Sequence, residues 1–370
     1  MTYFRRTALI RKTVILLLAL LTLPSLAEEQ LTSAALRRLG VHPERLQPIV
    51  FSHNDKMLAA FDRADFEQKK EGVFFRVWIF DINRDGSLGE ARSFPIPLKN
   101  LQQGEFTPDD SQFVVLGDRG TTFLSIDLKS NEVRDLLVPE WGKAGFRADP
   151  TVLWSNGGKL YVIGHPYDEN RFIETQTVAT LLPDAEPSKR FQRSGDIGTL
   201  ERGLERLWFR TYLTDTTAFF GQKYPELAII SYWDGERVTE FDRAFHFSGF
   251  WSKAGRLIYS ARRGEGMDSE LTIYDAKTGE KKILATDSDE YRYLFLSRNG
   301  QTALTSQLSE TPGRLIPWYA KESQGWQLKP VVTDSKGEPR TLASGWMRLS
   351  SSGDLMAHIG PGGLTIYKLP

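Results

Sequence analysis

The chain contains no cysteine. That single absence excludes disulfide staples, thiolate metal ligands, cysteine nucleophiles and lipid attachment at an N-terminal cysteine, so the fold rests on burial alone. Net charge is also missing. Lys plus Arg and Asp plus Glu both number 47, so no global field draws the chain to nucleic acid or an anionic membrane, and a nucleic-acid partner is not expected. Long apolar runs are absent too: Val14 to Leu23 is about half of the roughly 20 residues that a spanning helix needs. Helical periodicity is confined to Thr32 through Leu39, with Gly40 as its stop. Neither a Gly-x-Ser-x-Gly elbow nor a Walker-type loop occurs, which leaves nucleophilic hydrolysis and nucleotide binding without a motif. What remains is 40% hydrophobic residues, 12% aromatics, 31 Gly and 18 Pro, the composition of a globular chain with a large core and many turns.

The N-terminus carries Arg5, Arg6, Arg11 and Lys12, then the apolar run, then Ser25-Leu26-Ala27 before Glu28. Residues 1–27 therefore read as a signal peptide of the general secretory type, cleaved after Ala27, with no transmembrane anchor left in the mature chain. Phe4 before Arg5-Arg6, with Ala8 and Leu9 after, is a poor copy of a twin-arginine signal. Cleavage leaves the mature chain with four net negative charges. An exported chain without disulfides is expected in a bacterial periplasm, or secreted.

A repeat organises the rest. Its unit is an apolar or aromatic residue, Ser or Thr, two variable residues, Gly or Asp, and a short apolar strand. It recurs as Phe51-Ser52-His53-Asn54-Asp55, Phe106-Thr107-Pro108-Asp109-Asp110, Trp154-Ser155-Asn156-Gly157-Gly158, Trp251-Ser252-Lys253-Ala254-Gly255, Leu296-Ser297-Arg298-Asn299-Gly300 and Leu349-Ser350-Ser351-Ser352-Gly353. A degenerate copy, Leu200-Glu201-Arg202-Gly203, fills the one double gap. Most units add a second hairpin whose first strand ends in Asp, as in Phe80-Asp81, Ile126-Asp127 and Tyr274-Asp275. Turn residues between short strands, without long helices, predict an all-β, seven-bladed β-propeller of four-stranded blades over 49–370. The last unit, from Trp346, has room for three strands. The segment 28–48, with its short helix, is the candidate donor of a closing strand, because an open edge would leave backbone groups unpaired.

The aromatic-Ser-x-x-Gly turn, the apolar strand and the strand ending in Asp resemble the repeats of bacterial periplasmic propellers: those of the Tol system, the YVTN type and other WD-like propellers. They are also similar to the N-terminal propellers of prolyl-oligopeptidase-type enzymes, and Gly104 to Leu137 matches best. The resemblance implies an architecture shared by scaffolds, lactonases and peptidase modules, and no chemistry by itself. The chain ends within its last repeat, so no α/β-hydrolase domain is expected to accompany it.

Asp81-Ile82-Asn83-Arg84-Asp85-Gly86 copies the start of a calcium loop, but Arg92 stands where the bidentate carboxylate belongs, and a hairpin turn is expected instead. The five His residues are scattered over separate units, so no metal and no cofactor are expected. Residues on or before the first strand of a unit can face the axial channel, and Glu105, Asp149, His246, Arg292 and Arg348 are the channel candidates. Long aromatic loops supply binding candidates of the kind that dominate interfaces: Trp141, Arg147, Tyr167, Phe219, Phe220 and Tyr224. The leading expectation is a protein- or peptide-binding scaffold in the bacterial cell envelope. One alternative is a lactonase-like, metal-assisted hydrolase using Glu105 and Asp149 at the channel mouth. The other is a carbohydrate-binding propeller using Trp141, Tyr167 and Tyr224 as stacking platforms.

Overall fold

At Ser52, Thr107, Ser297 and Ser350 the repeat's hydroxyl closes its hairpin from inside. In the first unit the Ser52 hydroxyl accepts from the Met57 amide (3.0 Å) and donates to Asn54 Oδ1 (2.9 Å). Thr107 does the same with Gln112 (3.0 Å) and Asp109 (2.7 Å), and Ser297 with Thr302 (2.9 Å) and Asn299 (2.7 Å). The fifth repeat position takes a left-handed backbone, at Asp55 and Asp110 (φ 58° each), Gly300 (70°) and Gly353 (85°), which explains why only Asp or Gly stands there. The Asp ending the third strand caps the second turn: Asp127 Oδ1 accepts from the Lys129 and Ser130 amides at 2.9 and 2.8 Å.

The computed structural model describes residues 29–370, except 40, 43–44, 47–48, 64–68, 70–71, 119–121, 137–151, 157–158, 165–174, 183–186, 193–196, 203–206, 214–226, 234–236, 265 and 288–290. The chain is nearly all β. The described strands pair into seven antiparallel sheets, six of four strands and one of five. The first sheet is Ile49–Phe51, Met57–Arg63, Phe75–Ile82 and Leu88–Ile96, in that order. In the last sheet Trp346–Leu349, Leu355–Gly360 and Gly363–Lys368 are joined by the N-terminal strand Glu29–Thr32, with Glu29 opposite Ile366 and Thr32 opposite Gly363. The helix spans Ser33–Arg38, one residue inside the expected range at each end, because Thr32 is drawn into the sheet.

The core lies between the faces of consecutive sheets. Leu58 and Ala60 pack with Ala357, Ile359, Leu364 and Ile366 of the last sheet, while Ala59 and Phe61 on the opposite face pack with Phe106, Phe113 and Val115 of the second. Both faces are buried, so these strands read as unbroken apolar runs such as Leu58 to Phe61. Leu36 of the helix, Val41 and Leu46 seal the junction of the first and last sheets. The first strands of neighbouring sheets touch in the series Val152–Asn156, Leu101–Phe106, Ile49–Phe51, Trp346–Leu349, Arg292–Leu296, His246–Lys253 and Ile197–Arg202. These strands line the centre. Among the described residues the tight turns that follow Phe51, Phe106, Leu296 and Leu349 meet at one end of these strands, the tight-turn end.

Candidate functional site

The tight-turn end is stitched by side chains that the fold brings together from distant repeats. Asp110 Oδ1 accepts from the His53 amide (2.7 Å) and lies 2.9 Å from His53 Nδ1, and its Oδ2 accepts from the Asn54 amide (2.9 Å). Asp55 repeats the clamp one sheet back, on the amides of Ser351 (2.6 Å) and Ser352 (2.8 Å). The Ser351 carbonyl accepts from the Arg298 amide (2.9 Å), and the Ser351 hydroxyl donates to the Ser52 carbonyl (3.1 Å). Arg256 extends the stitching: its guanidinium donates to Asp275 (2.9 Å), to both oxygens of Glu322 (2.6 and 2.7 Å) and to the Gly300 carbonyl (3.1 Å). Those two carboxylates push the Arg256 pKa further up, and Glu322 is held below the usual carboxylate range by its hydrogen bonds from Arg256.

Inside this frame sits a small polar cavity of about 50 Å³ at the channel mouth, walled by His53, Glu105, Lys253, Arg298, Arg348 and the Ser350-Ser351 turn. Phe295 forms part of the wall, and the Arg348 guanidinium lies over its ring at 5.0 Å. Lys253, Arg298 and Arg348 face a single carboxylate, Glu105, which is 7% exposed. The excess of cations in a partly enclosed cavity suits a carboxylate or another oxyanion, because charge-assisted hydrogen bonds strengthen where water is limited. A divalent cation meets the opposite field, and among the described residues no group of three or more His, Asp or Glu is placed to hold a metal.

The structure brings two channel candidates, Glu105 and Arg348, into this cavity. Arg292 stays exposed at the other end of its strand, where its carbonyl accepts from Thr305 (3.1 Å) and Ser306 (3.3 Å). His246 opens strand His246–Lys253 opposite Arg262, and its side chain lies outside the described residues. Asp149 and all six loop candidates, Trp141, Arg147, Tyr167, Phe219, Phe220 and Tyr224, also lie outside the described residues. Asp81 to Gly86 forms a hairpin turn, with Asp85 Oδ1 accepting from Ser87 (2.9 Å) and the Gly86 amide donating to Asn83 (2.9 Å). His358 is buried, 3.0 Å from the Ala343 carbonyl, and burial lowers its pKa.

His53, Lys253 and Arg298 escape a reading made strand by strand. Each is the residue immediately after the repeat's Ser, and Ser351 holds the same column in the last repeat. Aligning the repeats by column would have found them: His53, Arg202, Lys253 and Arg298 make it a predominantly basic position.

No family profile matches the chain. Prolyl oligopeptidase A of Galerina marginata (strain CBS 339.88) is 24% identical over 155 residues, covering 41% of this chain and 19% of that protein. The chain is similar in structure to the acylaminoacyl peptidase of Pyrococcus horikoshii (12% identity, TM-score 0.58), covering 88% of itself and 51% of that chain. It thus spans about half the length of that peptidase. It is also similar to the oligogalacturonate lyase of Vibrio parahaemolyticus (12% identity, TM-score 0.57, 86% and 88% covered). The β-propeller domain of the Trilobed protease from Pyrococcus furiosus, with an open velcro topology, gives 15% identity and TM-score 0.52 over 79% and 85% of the two chains. At these identities the likeness is one of architecture, and the resemblance to propeller repeats holds: this chain has a β-propeller fold.

Proposed function

We propose that this chain is an exported binding module of the bacterial cell envelope that recognises a protein or peptide partner at the tight-turn mouth of its channel. In this reading residues 1–27 are a secretory signal removed after Ala27, and 49–370 form a ring of seven blades. The segment 28–48 then donates the strand that closes the ring, leaving a mature protein in the periplasm or outside the cell. Among the described residues, no helix is long and apolar enough to cross a membrane. The observation that carries the proposal is the convergence of Lys253, Arg298, Arg348 and His53 around Glu105 in one solvent-connected cavity. Such a cluster fixes the orientation of a charged partner group. The lactonase-like alternative has less support, because among the described residues lining the cavity Glu105 is the one carboxylate and stands among cations.

The test is cross-linking in intact cells, comparing the wild type with a Lys253→Glu, Arg298→Glu variant that melts at the wild-type temperature. A specific envelope protein captured by the wild type and lost in the variant supports the reading. The same captures with both proteins, or none with either, would overturn it.

A further inference from the structure

Three hollows on the tight-turn face share their walls. The channel-mouth cavity shares His53, Arg298 and Ser351 with a shallow hollow over Asn54, Asp55 and Ser352. That hollow shares Asn54, Asp55 and Ser352 with a wider one between the first and last sheets, bordered by Lys56, Ile82, Arg84, Leu355 and Lys368. They form one continuous trough from the channel to the rim. Its charge is lopsided in a chain whose net charge is zero. The cations are Lys253, Arg298, Arg348, Lys56, Arg84 and Lys368. Its carboxylates are Glu105, Asp55 and Asp354. Asp55 is engaged by the amides of Ser351 and Ser352, and Asp354 by Lys321 at 3.1 Å. Among the described residues the Arg298 guanidinium makes no ion pair.

We infer that this trough takes an extended acidic peptide segment whose terminal carboxylate sits in the channel-mouth cavity. The inference rests on the tight-turn mouth being the working face. Charge complementarity selects an acidic occupant. The two outer hollows have no Phe, Tyr or Trp in their described walls, so they lack the row of rings on which successive bases stack. Their polar side chains, Asn54, Asn83 and Asn299, suit the donors and acceptors of a peptide backbone, and Ile82, Leu355 and Leu369 suit an aliphatic side chain. The cavity end is lined by guanidinium groups, whose paired donors match a carboxylate.

The test uses the purified mature chain and a fluorescently labelled hexapeptide of Asp, Glu and Leu residues, read by anisotropy. Four comparison probes are its C-terminal amide, its Gln/Asn analogue, a phosphorylated neutral peptide and an oligogalacturonate. The free acid binds, and the amide and the uncharged analogue each bind at least tenfold more weakly. Arg298→Gln abolishes the difference between acid and amide, and Arg298→Lys restores part of it. Lys56→Gln, Arg84→Gln and Lys368→Gln together weaken binding and flatten its salt dependence, while the preference for acid over amide remains. Matching thermal melts show that the variants are folded. Equal binding of acid and amide overturns the terminal-carboxylate assignment. Tighter binding of oligogalacturonate or the phosphopeptide overturns the occupant. If no acidic peptide binds while the cellular cross-link at the mouth persists, the inference fails and the working face stands; if both are absent, the proposed function fails with it.

Discussion

The Asp55 carboxylate accepts a 2.6 Å hydrogen bond from the backbone amide of Ser351, 296 residues later in the chain. This clamp and its counterpart, Asp110 on His53 and Asn54, join the tight turns of the last, first and second sheets, and so set the wall of the channel mouth. In later repeats glycine takes the same backbone position, and at Gly353 a Cβ would stand 2.4 Å from Thr302 Oγ1, so no carboxylate fits there.

Asp110→Gly therefore removes the clamp without disturbing the left-handed turn that Asp110 adopts at φ 58°. Two charge-assisted hydrogen bonds to the backbone amides of His53 and Asn54 are lost, and the expected destabilisation is about 2 kcal/mol, a fall of a few degrees in melting temperature. Urea unfolding of the two proteins measures it. A variant as stable as the wild type would show that the clamp does not contribute.

Trp208 is fully buried, with the Tyr232, Phe241 and Tyr274 rings at centroid distances of 5.1, 5.5 and 6.1 Å. Trp208→Ala opens a cavity at the contact between two sheets and costs about 3–5 kcal/mol, whereas Trp208→Phe costs about half of that. Chemical denaturation of both variants checks the order.

Asp62 is 4% exposed, and its Oδ1 has no hydrogen-bond partner among the described residues. Burial raises its pKa from 3.8 to about 6, against the lowering pull of His42, Arg45 and Arg76. A carboxyl with a raised folded-state pKa contributes stability that is complete below the unfolded value and lost as pH rises through about 6. Asp62→Asn is accordingly more stable than the wild type at pH 8, by about 2 kcal/mol, and loses that advantage below about pH 4. Thermal melts at the two pH values test it, and a pH-independent difference would contradict it.

The strands and their turns were legible in the sequence because their chemistry is local. The hydroxyl of Ser52 reaches five residues along the chain and that of Ser297 does the same, so the motif carries its own hydrogen bonds. The short helix starts one residue later than expected because Thr32 pairs with Gly363, a partner that no local pattern reveals. The clamps were hidden for the same reason: nothing near Asp55 announces Ser351. Glu105 and Arg348 follow from their place on first strands, whereas His53 and Arg298 sit in the turns after them and Lys253 is the last residue of its strand, where the pattern reads as a solvent-exposed connection. Arg292 shares a first strand with Phe295 but lies at the end away from the cavity, because strand position alone does not say which end of the channel a residue faces.

The most direct test of the working face places a photoreactive amino acid at one of two positions, Arg298 at the channel mouth or Phe219 in the aromatic connection between Leu213 and Leu227, and irradiates intact cells expressing each variant. The account predicts that position 298 yields a cross-link to a specific envelope protein, that position 219 does not, and that added acidic peptide suppresses the cross-link. A cross-link from position 219 with none from position 298 would contradict it.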